Sequence, residues 1–200
     1  QYLCLPVMLK LFNTLTHRVE EFKPLEEGHV GLYSCGPTVY NYVHLGNLRA
    51  YLFIDLFKRY LAWRGYQVKH VMNITDVDDK TIRDSSQAGQ TLKEFTEHYT
   101  SLFLQDLEAV NIRLPDVMPK ATEHINEMVA IVKKLLETGH AYRQGDSVYF
   151  KISSSGHYGE LAQLEKQTLK ENADQRLQQS DEYEKENVND FVLWKGWKPE

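Results

Sequence analysis

YSCGPTVYNYVHLGNLRA, residues 33–50, places a cysteine, two glycines, a proline and a histidine between an apolar run and an apolar-periodic stretch. Neither a core strand nor a core helix accommodates that mixture, so the stretch reads as the junction between the two. Upstream, residues 30–34 (VGLYS) are expected as a short buried strand, stopped by Gly36 and Pro37. Downstream, a helix is expected over 46–64, where Leu48, Leu52, Leu56 and Tyr60 recur every fourth residue beside Phe53, Phe57 and Leu61. That face is broad enough to cover a sheet, and Gly65 is placed to end the helix. A second strand is expected over 67–74 (QVKHVMNI). Strand, turn, helix and strand at this spacing form a βαβ unit, whose crossover favours a parallel pair.

The rest of the chain extends this plan. Thr91 and Glu94 form a capping box before a helix with Phe95, Tyr99, Leu102, Phe103, Leu107 and Val110 on one face. Pro115 and Pro119 break the chain, and a second amphipathic helix is expected over 122–138, ending at Gly139. AYRQGDSVYFKI (141–152) reads as a hairpin turning at Gly145 and Asp146. Residues 153–189 are polar and read as a loop-rich insertion, and DFVLWKGWKPE (190–200) turns apolar again. The fold class expected is α/β, a Rossmann-like parallel sheet with helices, plus part of an inserted α+β domain. The expected division is 9–114, 115–190 and 191–200.

Composition limits the functions. At 200 residues the chain buries a real core, and 42 % apolar residues is ordinary for a globular protein. A net charge of −5 argues against a general nucleic-acid coat, although a local basic patch is compatible with it. Two cysteines, Cys4 and Cys35, form no disulfide framework, which points to a reducing, cytoplasmic compartment and to Cys35 as a ligand or nucleophile. No apolar run reaches the ~18 residues that span a bilayer, so no membrane role is expected. Residues 1–7 lack the basic region of a signal peptide, and Met8 is read as a start.

The chemistry is expected at the carboxyl ends of the two strands, where open α/β sheets gather ligands. Cys35 offers a soft thiolate suited to zinc. Gly36 lets a ligand approach the backbone. His44, Gly46 and Asn47 lie at a helix start, where N–H groups and the dipole favour an anion such as phosphate. Each has a plainer reading: a small buried thiol, a turn, a capping histidine. Neither G-x-x-x-x-G-K-[ST] nor G-x-G-x-x-G is present, so the common nucleotide loops do not explain the stretch. In NITDVDDK (73–80), Asn73 and Thr75 suit polar contacts to a small ligand. Asp76 is expected to cap the next turn, with Asp78 and Asp79 solvated; a cation loop is the weaker reading, since its glycine is missing.

CGPTVYNYVHLGNLRAYLFIDLFKRYL, VMNITDVDDKTI, PKATEHINEMVAIVKKLLETGHAY, DSVYFKI and NDFVLWK resemble, in order and spacing, the N-terminal part of the cysteinyl-tRNA synthetase family. The resemblance covers nearly all of 9–198, and HLGN is similar to the H-I-G-H signature of class I synthetases. It implies activation of L-cysteine with ATP (and Mg2+) to cysteinyl-adenylate, then transfer to tRNA(Cys), with a zinc ion holding the substrate thiolate. By resemblance, Cys35 is a zinc ligand. Gly36, Thr38 and Thr75 line the cysteine pocket together with Asn73, and His44, Gly46 and Asn47 grip ATP, with His44 and Asn47 as the catalytic donors. Asn47 stands where the general signature has a second histidine; an amide still donates to phosphate.

A zinc ion answers a problem of selection. A pocket that measures shape separates near-isosteres by only ~10–200-fold, whereas zinc prefers thiolate to alcohol. The family's other zinc ligands, its second ATP loop and its anticodon-reading helices have no counterpart in these residues, and His70, His124, His140 and His157 match no ligand role. The chain is therefore expected to be an inactive fragment, part of a monomer. The alternatives are the related cysteine ligase of mycothiol biosynthesis and a truncated, non-catalytic paralogue acting as a binding module.

Overall fold

The computed structural model describes residues 8–161 and 190–197, which fall into two compact units. One comprises 23–125; the other combines the described residues before 23 with those after 125. Expectations for Cys4 and for residues 162–189 lie outside the described part.

The 23–125 unit is built on the expected βαβ element. Strand β3 (His29–Ser34) runs parallel to β4 (Gln67–Met72), pairing His29 with Gln67 through to Ser34 with Met72. Helix α1 (Leu45–Trp63) connects them. It ends where Gly65 adopts φ +91°, a conformation glycine takes without strain, and the Gly65 and Tyr66 N–H groups close on the Ala62 and Leu61 carbonyls.

Residues 116–121 line the other edge of β4. The Met72 and Ile74 N–H groups donate to the Val117 and Pro119 carbonyls at 3.0 and 2.8 Å, with parallel bridges Val71–Val117 and Ile74–Lys120. Of the prolines that mark a break in the sequence, Pro115 precedes this edge segment and Pro119 lies within it, the place in a sheet where a missing N–H is tolerated. β4 is therefore central.

Helix α2 (Asp79–Gln87) was not anticipated. It starts at Asp78, whose side chain accepts from the Lys80 N–H while Thr81 completes a capping box. This corrects the reading of NITDVDDK. The cap is Asp78, and Asp76 is a buried anchor that accepts from the Thr122 N–H and hydroxyl. Helix α3 (Leu92–Ala109) begins with the expected Thr91–Glu94 capping box. Its Phe103 and Leu107 pack with Val39, Tyr51, Met72, Ile74 and Ile112 to form the core. Val110, expected on that face, is exposed at the helix end.

α1 departs from expectation in which face it covers. Leu52, Phe53, Leu56 and Tyr60 are exposed, whereas Tyr51, Asp55 and Leu61 are buried. Asp55 is tolerated inside because both oxygens are engaged, by Arg59 Nε at 2.7 Å and by the Arg113 N–H at 3.2 Å.

In the second unit, β1 (Lys10–Asn13) and β2 (Arg18–Glu21) form an antiparallel hairpin absent from the sequence reading. Helix α4 (Ile125–Glu137) follows a 3-10 turn (Ala121–His124) that closes the 23–125 unit. The expected hairpin is present as β5 (Ala141–Gln144) and β6 (Ser147–Phe150), and β7 (Phe191–Trp194) adds antiparallel to β6. Tyr142 and Tyr149 stack across the hairpin, and Asp190 ties it together by accepting from the Tyr142 hydroxyl and the Ile152 N–H. No helix among the described residues is long and apolar enough to cross a membrane.

Candidate functional site

Parallel pairing continues beyond the ends of β3 and β4, and this brings half of the candidate residues together. The Thr75 N–H donates to the Pro37 carbonyl at 3.0 Å, the Val39 N–H donates to the Thr75 carbonyl at 3.1 Å, and Thr38 bridges Thr75. Between them lies Gly36. A Cβ at this position would overlap the Asn73 carbonyl and approach Met72 Cγ to 2.9 Å. The glycine expected to admit a ligand is thus required by the neighbouring backbone. Asn73 closes the arrangement from its own side chain. Its Oδ1 accepts from the Gly36 N–H and the Tyr33 hydroxyl, both at 3.0 Å, and its Nδ2 donates to Thr75 Oγ1 at 3.0 Å.

Cys35 stands at the tip of β3 with an exposed, unbridged thiol. It lines a groove of about 620 Å³ with Ser34, Gly46, Arg49, Ala50 and Tyr51. Arg49 and Tyr51 were not singled out from the sequence, although Arg49 and Ala50 follow Gly46 at helical spacing. Tyr51 is buried, and burial first, then the Cys35 sulfur, push its phenol above the ordinary range.

The other candidates open α1. His44 is its N-cap, with Nδ1 accepting from the Gly46 N–H at 3.0 Å, and the His44 N–H donating to Asn47 Oδ1 at 3.2 Å. The capping role given as the plainer reading is therefore real, and it determines what remains for a ligand. A neutral His44 carries its proton on Nε2, Asn47 keeps its Nδ2 donors, and the Gly46 N–H is occupied. A Cβ on Gly46 would come within 2.8 Å of the His44 ring, so the glycine makes room for the cap.

Two histidines given no ligand role have local partners. His70 Nε2 lies 2.8 Å from Ser34 Oγ, and His140 Nδ1 lies 2.9 Å from Ser154 Oγ. No group of three or more His, Cys, Asp or Glu side chains among the described residues is placed to hold a metal. Cys35 fits zinc as one soft donor; a tetrahedral site needs further ligands from outside these residues.

A family model described as "tRNA synthetases class I (C) catalytic domain" matches residues 21–200. The chain belongs to this family. The Cysteine--tRNA ligase of Brachyspira hyodysenteriae is 51 % identical over 186 residues, 93 % of this chain and 39 % of that protein. The corresponding ligase of Methanosarcina mazei is 48 % identical over 193 residues, 96 % of this chain and 40 % of its own. The chain thus spans about 40 % of the length of these relatives. Among solved structures, a ternary LeuRS–tRNA–LeuAMS complex from Agrobacterium radiobacter K84 aligns with TM-score 0.52 at 18 % identity, over 66 % of this chain and 17 % of that one. A putative arginyl tRNA synthetase from Campylobacter jejuni aligns at 0.50 and 16 % identity, over 67 % and 40 %. At those identities the likeness establishes the fold, that of class I synthetase catalytic domains.

Proposed function

We propose that the full-length protein activates L-cysteine with ATP to cysteinyl-adenylate and transfers it to tRNA(Cys) in the cytoplasm, this chain supplying the first part of the catalytic domain. The observation that carries the reading is the joint placement of Cys35, Thr38 and Thr75 at the strand ends with His44 and Asn47 at the start of α1, in a chain whose family is that of the cysteine enzymes. Residues 116–121 belong with the parallel sheet, and the inserted domain follows them.

In this reading the cysteine carboxylate attacks the α-phosphorus of ATP, and pyrophosphate leaves with the electron pair of the broken P–O bond. His44 Nε2–H and Asn47 Nδ2–H donate to phosphoryl oxygens and stabilise the charge that gathers there; neither acts as a base. The cap bonds hold both side chains before ATP arrives, so little reorganisation is required. Thr38 and Thr75 offer hydroxyls to the amino acid, and Gly36 holds the strand ends at the spacing that presents them. Cys35 would be one of the ligands of a zinc ion, which when bound supplies a Lewis acid selective for thiolate over alcohol. Transfer to tRNA is assigned to the remaining length of the protein.

Cysteine-dependent ATP–pyrophosphate exchange by the full-length protein tests the reading. Wild-type protein is expected to exchange with cysteine and not with serine. His44→Ala should slow exchange by roughly 10²–10³-fold, as for removal of one preorganised donor. Normal exchange in His44→Ala would remove the phosphate role.

A further inference from the structure

Asn73 has two chemically distinct ends, and the backbone decides which faces where. An N–H group only donates, so the atom bonded to the Gly36 N–H is the amide oxygen. The Tyr33 hydroxyl donates to the same oxygen. Nδ2 therefore faces Thr75 Oγ1, at 3.0 Å, and an NH2 group can only donate. The Thr75 oxygen is then an acceptor on this side, and its own proton points elsewhere. The Thr75 main chain is already engaged with Pro37 and Val39, and the hydroxyl proton meets no acceptor among the described residues.

We infer that Asn73 is a positioning residue that, by occupying the Thr75 hydroxyl oxygen from one side, leaves its proton to be donated at the strand ends, so that the ligand group this proton meets is an acceptor oxygen. This changes the expected role of Asn73 from touching the substrate to setting the polarity of the residue that does. The inference rests on the proposed function for the identity of the ligand. Within it, that acceptor oxygen belongs to the cysteine carboxylate or to an ATP phosphate.

Asn73→Asp reverses the polarity at nearly constant shape. One carboxylate oxygen still serves Gly36 and Tyr33, while the other draws in the Thr75 proton and leaves only lone pairs for the ligand. KM for cysteine, KM for ATP and kcat for pyrophosphate exchange are measured in the full-length protein for wild type, Asn73→Asp, Thr75→Val and the double variant. Each single variant should raise one KM about tenfold or more, the scale of a hydrogen bond to a charged group, with a smaller change in kcat. A rise confined to cysteine identifies the carboxylate; a rise confined to ATP identifies phosphate. The double variant should be no worse than Thr75→Val alone, because Asn73 acts through that hydroxyl. Multiplying effects would overturn the inference. If Asn73→Asp does not fold, Thr75→Ser should retain the wild-type KM where Thr75→Val does not, and equal values for the two would overturn it. Wild-type protein without exchange would instead refute the proposed function, and the ligand assignment with it, an outcome separable from an additive cycle.

Discussion

At position 36 a methyl group has nowhere to go, since the Asn73 carbonyl occupies the place of a Cβ and Met72 Cγ lies 2.9 Å away. Gly36→Ala should destabilise the 23–125 unit by about 1–3 kcal/mol, the usual cost of overpacking. Chemical denaturation reads this directly, and a neutral substitution would mean that the strand ends are further apart. His70 shows a different constraint. It is buried on β4, its Nε2 meets Ser34 of β3, and its Nδ1 has no partner among the described residues. The charged groups facing it are Lys58 and Asp55 of α1 and Asp116. Burial, then the Lys58 ammonium, lower its pKa below the ordinary 6.5, against the opposing pull of Asp116 and Asp55. Both carboxylates are already engaged, Asp116 by Lys58 and the His70 N–H, Asp55 by Arg59 and the Arg113 N–H. The sign follows. Below 6.5 the unfolded chain takes up a proton that the folded chain refuses, so stability falls as pH drops from 6.5 to the folded value. The unfolding constant should rise by up to about tenfold per pH unit in that window, and His70→Gln should remove this contribution. Equal pH slopes for the two proteins would contradict the account.

Among the elements, α3 is the best specified by its sequence. Thr91 and Glu94 close a capping box in which the Glu94 carboxyl, accepting from the Thr91 hydroxyl and N–H, titrates below its ordinary value. Thr91→Ala should cost about 1 kcal/mol by thermal or chemical unfolding, and a change near zero would show that packing alone sets the helix start. The βαβ unit, α3 and the 141–150 hairpin were legible because their signals are local: period, caps and turn residues. The buried face of α1 was not. Periodicity identifies which side chains are apolar, and Leu52, Phe53 and Leu56 are apolar yet exposed, whereas Asp55 is buried because two donors meet it. The 116–121 segment and the Asp76 anchor escaped for the same reason, since their partners are far away in sequence. At the site, Cys35 and the His44–Asn47 turn could be located by order and spacing. The sequence could not show that His44 spends one nitrogen on Gly46, or that both ends of Asn73 are engaged, because these are facts of orientation.

For the whole molecule, the described residues form two compact units, and the chain spans about 40 % of the length of its relatives. Within the 23–125 unit, the sheet brings Cys35 and Thr75 to the same strand ends, and α1 begins immediately after them with two donors held by their own cap. The central claim of the proposed function is that Cys35 helps hold a zinc ion that would prefer thiolate to alcohol, so that selection of the amino acid does not rest on shape. The most direct test is the ratio of kcat/KM for cysteine over serine in ATP–pyrophosphate exchange, for the full-length protein and its Cys35→Ser variant. The account predicts a wild-type ratio well above the roughly 10–200-fold that shape alone supplies, and its collapse in Cys35→Ser. A ratio unchanged by Cys35→Ser would contradict it.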